Sequence, residues 1–582
     1  MKDFFGRTLG MRTDGSLCSS SERKVILYIN KIFPSYGALV RDDFPNTFSI
    51  SGFPKRRSVF FLEIIKQNRG VALKRFETNM FLCSLPDESM PIEANRSEVN
   101  DWEIFQLEEV SPNLSEENIT CLDLLFHTKR KYQNVDFLIY LLKKYDRSIL
   151  SPVFETMISF LPEKTIGKLT DTMVGDISFS EKICSLLPQD IWNTFAIPAS
   201  MSFRRKKTLP FTETSCGPEL DTLGQVEDIE RRNTQNATST FLINSSLRAN
   251  AVPQRNSCII ATVRNEGVYL PEWIAYHKAL GFDEIYLYSN NNDDGSDLLL
   301  DILDRNGVIK HIKNEILSEC RPQIKAYCHA LSILPDILDF RWCAILDVDE
   351  FIGYDTTIFT SFSDYLAWMD IQEIDAIALS WVIFTPSEQR IFQKTGLLKN
   401  FTYRQTDTDV HVKTIVRPSE FYASGPHSPN TIRGKRLCYA TSSGNTHSHE
   451  FASSANYGKN PTDRYAWVAH YHLKSTQDFL WKMNRGTGMD SSDTNFGATI
   501  RQDFIPHFVH AFGNNDKIND PRMSRLAGED FLSQLNEIYK ISGVLTAYNN
   551  CLRRYLEKTE TIREHLKNKR DNGLLNALLE RC

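Results

Sequence analysis

The residues best suited to chemistry lie in WCAILDVDEF, Trp342 to Phe351, where a short apolar run ends in two carboxylates one residue apart and a third beside them. Side chains alternate along an extended segment, so Asp347 and Asp349 leave it on one side while Val348 stays with the core. Two hard oxygen donors at one point suit Mg²⁺ or Mn²⁺, which in turn grips phosphate oxygens. A core strand ending in a polar turn shows the same pattern, so the surroundings must separate the two readings.

Cys258 to Val263 and Glu284 to Ser289 are continuous apolar runs, the pattern of strands buried on both faces. A helix is expected between them, with Pro271 in its first turn, Trp273, Ile274 and Leu280 on one face and Gly281 as its stop. Ser296 is placed to cap LLLDILDRNG, ended by Gly307, and Ile324 to Leu334 gives a further helix before the Asp347 strand. This alternation predicts a parallel α/β sheet that takes ligands at the carboxyl ends of its strands. Arg264, Asn265, Glu266, Asn290 and Asp347 all fall at such ends, and together they suit a nucleotide-phosphate pocket.

The order of motifs adds a resemblance. TVRNEGVYLPEWIAYHKALGFDEIYLY, LDVDEF, KTIVRP with a downstream His427, then HYHLKS followed by Phe479, Lys482 and the pair Arg485-Gly486 resemble the GT-A glycosyltransferases of the family 2-like and family 92 (galactan synthase-like) group. The resemblance runs from Ser257 to Gly486. It implies a nucleotide-diphosphate sugar donor, expected to be UDP-linked, and transfer of the sugar to a glycan or other hydroxyl acceptor with inversion. It also implies Mn²⁺ or Mg²⁺ held by Asp347, Asp349 and His470, with Thr262, Arg264, Glu266, Asn290, Asp347, Lys474 and Arg485 at the donor nucleotide. Two departures stand out: Ser289-Asn290 where the family pattern reads aspartate-asparagine, and Phe384-Thr385-Pro386 in place of a Phe-Gly-Ser type loop.

The chemistry follows from charge. A departing diphosphate must be stabilised as the sugar gains oxocarbenium-like character, which a cation at the D-x-D supplies. Lys474 and Arg485 could neutralise further phosphate charge. Inversion needs a carboxylate to take the proton of the attacking hydroxyl. Glu388 is the first candidate, in a loop after a strand, Ala376 to Phe384, expected to run beside the Asp347 strand; Asp375 and Asp294 are rivals.

At 582 residues the chain exceeds what one core fills. Its 67 basic and 73 acidic residues give a net charge of −6, with no global pull toward nucleic acid or an anionic membrane. No apolar run approaches a membrane span, and MKDFFGRTLGMRTD lacks the apolar stretch of a secretory signal. Twelve cysteines at irregular spacing, without C-x-x-C, fit reduced thiols in a cytoplasmic protein.

Residues 1–110 repeat a strand-turn-strand theme three times and resemble β-trefoils of the fascin-like or lectin-like kind, which implies a glycan-binding domain; Trp102 and Phe105 either fill its barrel or face a ligand. Apolar residues at spacings of three and four predict a helical connector over 111–200. The polar stretch 201–256, with RRKK at Arg204 to Lys207, reads as a linker able to touch an anionic membrane surface. The GT-A domain is expected over 257–515 and C-terminal helices over 516–582. Two other classes compete: a carbohydrate-binding protein with an inactive GT-A scaffold, and a phosphotransferase of the haloacid dehalogenase kind. The latter wants Thr or Val where Phe351 stands.

Overall fold

The computed structural model describes residues 1–12, 16–19, 24–30, 34–41, 59–76, 78–109, 116–131, 134–159, 161–190, 192–206, 215–216, 238–316, 321–394, 396–430, 438–447, 461–484, 505–513, 516–567, 578 and 580. The chain forms two compact units, 1–197 with 234–247, and 198–233 with 248–582.

In the first unit a seven-stranded antiparallel sheet runs in chain order through Val25–Ile29, Tyr36–Arg41, Val59–Gln67, Gly70–Arg75, Phe81–Cys83 and Glu93–Arg96, with Ile104–Phe105 against Gly70–Arg75. Leu9, Leu39, Leu62, Leu73 and Phe105 fill its core. Much of the second proposed repeat, 42–58, lies outside the described residues, and the pairing seen is that of a meander. Helices follow from Glu116–Lys131 to Ile177–Leu186, as the three-four spacing predicts. The linker expectation is corrected at one point: Ser239–Ala249 is a helix. Its serines and threonines disguise a buried face of Phe241, Ile243 and Leu247, and Ser246 shares a hydrogen bond of 3.1 Å with Thr170.

The second unit is built on an eleven-stranded mixed sheet. Its strands are labelled β1 (Arg255–Val263), β2 (Glu284–Ser289), β3 (Lys310–Asn314), β4 (Phe340–Asp347), β5 (Glu350–Tyr354), β6 (Ala376–Ile383), β7 (Val412–Val416), β8 (Tyr439–Thr441), β9 (Thr446–His447) and β10 (Ala466–His470), with Ser215–Cys216 beside β3. The order is β3-β2-β1-β4-β7-β6-β8-β9, and β10 bridges β6 and β5. The first four are parallel, as expected. Beyond them the expectation of a parallel sheet fails, because β7 inserts antiparallel between β4 and β6. The Ala376 strand is therefore not the neighbour of the Asp347 strand.

The helices α1 (Leu270–Leu280), α2 (Ser296–Arg305), α3 (Pro322–Ser332), α4 (Phe362–Ile371), α5 (Thr476–Asn484), α6 (Glu529–Lys540) and α7 (Val544–Lys567) accompany the sheet. Pro271 sits in the first turn of α1, and Gly281 ends it in the left-handed conformation at φ 106°. Ser296 is not the cap of α2 but its first residue: Gly295 takes the cap at φ 90°, and Asp294 Oδ1 accepts from the Ser296 N–H at 2.9 Å and hydroxyl at 2.6 Å. No helix among the described residues is long and apolar enough to cross a membrane.

Two core histidines give a pH prediction. Burial pushes His277, packed among Trp273, Tyr276 and Phe351, and His329 from the ordinary 6.5 down to about 3. A depressed histidine supports the fold fully above its unfolded value, and that support is lost as pH falls toward the folded value. Denaturant titrations should therefore show stability falling between about pH 7 and 5, and less so in His277→Phe. Identical slopes in the two proteins would count against this assignment.

Candidate functional site

The parallel strands deliver Val263, Ser289 and Asp347 to one edge of the sheet, and Thr262 is in register with Asp347. His470 ends β10 at the same edge, paired with Ile383 on one side and Glu350 on the other. The loops after β1 and β2 are laced together. Asn265, in the left-handed region at φ 56°, donates its N–H to Asn292 Oδ1 at 2.7 Å and accepts the Asp293 N–H at 2.7 Å. The Gly267 N–H donates to Asp294 Oδ2 at 2.9 Å. Asp294 is thus consumed in holding loops together, and Asp375 lies before β6, at the opposite edge, where it accepts the Cys438 N–H at 2.8 Å. Neither rival base faces the site.

Val348 is buried, as alternation requires, and the two carboxylates beside it meet different lysines. Asp347 accepts from Lys413 Nζ and from Gln323 Nε2, each at 2.9 Å, and its side chain is 31% exposed. Asp349, 4% exposed, takes Lys482 Nζ at 2.6 Å, with Lys474 Nζ at 3.9 Å and His470 Nε2 at 3.6 Å. Burial alone would raise the Asp349 carboxyl, but Lys482, Lys474 and His470 hold it well below the usual carboxylate range. Burial likewise lowers His470 and Lys474, so the imidazole is kept neutral and able to lend a lone pair.

Sequence reasoning missed Lys413 as a site residue. It is 1% exposed in β7 and lies 3.4 Å from the fully buried Glu350 as well as against Asp347. Burial pushes Glu350 up to about 8 even with Lys413 beside it, and the Asp347 N–H donates to Glu350 Oε2 at 2.9 Å. A signal existed: in HVKTIV a lysine interrupts a β-branched run, and a lysine in a strand buried on both faces must be paired.

Arg264, Glu266 and Asn290 are buried at the strand ends, as expected of pocket residues, and the Asn290 Nδ2 is buried with no partner among the described residues. Arg485 lies outside the described residues. Glu388 is exposed, 3.5 Å from Lys517, and stands with Ser387 in the left-handed region at φ 62° and 52°. Consecutive non-glycine residues there store strain, which concentrates at functional positions. The chain just beyond is tied to the start of α5, where the Thr476 and Gln477 N–H groups donate to Gln389 and Arg390 carbonyls at 3.1 and 3.0 Å.

Where the family pattern has an aspartate, Ser289 shares a hydrogen bond with His311 Nε2 at 2.7 Å, and His311 Nδ1 with Asp301 Oδ1 at 2.8 Å. The chain resembles a hydrolytic triad, but Ser289 is buried in register with Val263, on the opposite face from Asp347, so it ties β2 to β3 and α2.

The donor set suits a hard divalent cation. Asp349 Oδ1 and His470 Nε2, a carboxylate oxygen and an imidazole nitrogen, stand 3.6 Å apart, and His470 Nδ1 is buried with no partner among the described residues. With Asp347 turned to Lys413 and Gln323, no group of three such side chains among the described residues is disposed to hold a metal.

In the first unit Phe105 is fully buried and Trp102 is 39% exposed, so only the first fills the core.

A glycosyltransferase family 92 protein of Oryza sativa subsp. japonica is 26% identical over 163 residues, 28% of this chain and 26% of that protein. Another, of Arabidopsis thaliana, is 27% identical over 179 residues, 28% of each chain. The match thus spans little more than a quarter of the length of these relatives. The crystal structure of S. aureus TarS 1-349 is 9% identical, covers 56% of this chain and 88% of its own, and gives a TM-score of 0.22, too low to bear on the fold. Residues 258–484 match the family model for glycosyltransferase family 92, and over that stretch, which runs from within β1 to the end of α5, the chain carries a glycosyltransferase family 92 domain.

Proposed function

We propose that the chain transfers a sugar from a nucleotide-diphosphate donor, UDP-linked, to a hydroxyl of a glycan or similar acceptor, with inversion and with Mn²⁺ or Mg²⁺ as cofactor. The observation that carries this reading is the meeting of Asp349, His470, Lys474 and Lys482 at the carboxyl edge of the sheet, inside the matched stretch. Lysines at such an edge suit phosphate, and ligands of open α/β sheets bind there.

Asp349 and His470 would hold the cation, joined by Asp347 once it is released from Lys413 and Gln323, and when bound the cation supplies positive charge to the leaving diphosphate. Lys474 and Lys482, relieved of Asp349, would turn to phosphate oxygens. The acceptor oxygen attacks the anomeric carbon and forms the new C–O bond. The bond from that carbon to the β-phosphate oxygen breaks with its electron pair, and the acceptor proton passes to a carboxylate. Glu388 is proposed for that role: its strained loop is fastened to the start of α5, beside Lys474. Glu388→Gln is expected to lower kcat by about a hundredfold or more while donor binding stays intact. Normal turnover in that variant would remove Glu388 from the mechanism.

Release of nucleoside diphosphate from a panel of sugar nucleotides, with and without Mn²⁺, tests the reading. Release that needs both the metal and an acceptor supports it; none with any donor would leave a silent scaffold. For the first unit, the exposed Trp102 supports a glycan-binding role. Trp102→Ala in the full chain should then lose binding on a glycan array, whereas an unchanged array profile would discount that tryptophan.

A further inference from the structure

The helix α7 lies beyond the family-matched stretch, which ends at residue 484, yet it reaches the proposed donor site. Tyr555 donates its hydroxyl to Asp478 Oδ1 at 2.8 Å, and Tyr269, from the loop after β1, donates to the same oxygen at 2.5 Å. The other oxygen, Oδ2, accepts the Ser475 N–H at 3.1 Å and its hydroxyl at 2.5 Å. Asp478 stands on α5 between Lys474 and Lys482, the two lysines that face Asp349. Lys474 Nζ also lies 4.4 Å over the Tyr269 ring.

The same helix grips the loops on the donor side. Arg554 donates to the Asp293 carbonyl at 2.9 Å, and Lys558 pairs with the Asp293 carboxylate at 2.5 Å. Cys551 packs so closely on Gly267 that a Cβ there would stand 2.7 Å from its Sγ. Trp481, 5.4 Å from the Tyr555 ring, donates to the Asn265 carbonyl at 2.8 Å.

Two tyrosine hydroxyls and a carboxylate, all buried, are costly unless they satisfy one another, and Phe or Leu would fill the same space without that cost. Their bonds fix the rotation and axial position of α5, on which the reach of Lys474 and Lys482 depends.

We propose that α7 is a working part of the donor site, a brace that acts through Tyr555 on Asp478 to hold Lys474 and Lys482 where a diphosphate binds. Tyr555, Tyr269 and Asp478 are positioning residues. The inference rests on the diphosphate reading above.

Calorimetry on the full chain tests it, with pyrophosphate, UDP and uridine as probes. Tyr555→Phe should weaken pyrophosphate and UDP about tenfold, as expected for one lost hydrogen bond to a charged group, and leave uridine, which carries no phosphate, unchanged. Tyr269→Phe removes the partner hydroxyl from the same Asp478 oxygen, so it should show the same selective loss and carries the test should Tyr555→Phe fold poorly. Loss of uridine and diphosphate binding alike, or a shift in thermal midpoint alone, would reduce α7 to packing and overturn the brace. Wild-type chain that binds neither pyrophosphate nor UDP would overturn the diphosphate reading itself; wild type that binds, with both variants matching it, would overturn only the brace.

Discussion

Asp349→Asn is expected to lower sugar transfer by about a thousandfold or more, the scale on which removal of focused charge stabilisation acts on a leaving group. The amide keeps the shape of the side chain but loses the charge that holds His470, Lys474 and Lys482 together. A second consequence separates the roles of metal and lysine. With metal chelated, Lys474 and Lys482 in the variant are no longer neutralised by the carboxylate, so pyrophosphate should bind more tightly than to wild type even as turnover vanishes. Steady-state transfer and metal-free calorimetry on one preparation check both. Retention of more than about a tenth of wild-type transfer would place the chemistry elsewhere.

Lys413→Met is expected to cost about 3–5 kcal/mol of folding stability, because it leaves Glu350 buried without its cation and strips Asp347 of a partner. The pH dependence identifies the cause. Glu350 already sits at about 8 with Lys413 beside it, above its ordinary 4.5, so its folded value is raised. A carboxyl raised by folding favours the folded state at low pH and loses that advantage as pH climbs through the folded value. Without the lysine the shift grows, so the penalty of the variant should be largest above about pH 8 and smaller near pH 5, where Glu350 binds a proton in the folded state. Denaturant titrations at the two pH values measure this directly. Lys413→Met with Glu350→Gln should recover part of the loss, and a penalty independent of pH would point to packing.

The parallel half of the sheet was legible because its strands are continuous apolar runs separated by a helix with Pro271 at one end and Gly281 at the other; each of those signals is local. That Asp347 and His470 end their strands at one edge of the sheet was legible for the same reason, polar residues at the tips of apolar runs. What escaped were relations set by pairing at long range. Nothing near Ala376 says that β7, some thirty residues later, will slide between its strand and that of Asp347. Nothing near Asp347 says that its carboxylate will be met by Lys413, because the partner arrives with that inserted strand. The Ser239–Ala249 helix was hidden by composition, since hydroxyl residues that signal loops can equally be buried when their hydroxyls are bonded, as Ser246 is to Thr170. In residues 1–110 the strands were readable, but strand signals specify neither a repeat nor closure, and the pairing seen is a meander.

Tyr555, Leu552, Cys551, Ala547 and Val544 of α7, with Phe531 and Ile538 of α6, belong to the same apolar core as Trp273, Val263 and Trp481. A recombinant piece trimmed to the family-matched stretch, ending at residue 484, would present that seam to water as one contiguous greasy face, a recipe for inclusion bodies. Gene boundaries for producing the second unit should therefore be drawn past residue 567, where α7 has finished covering its neighbours.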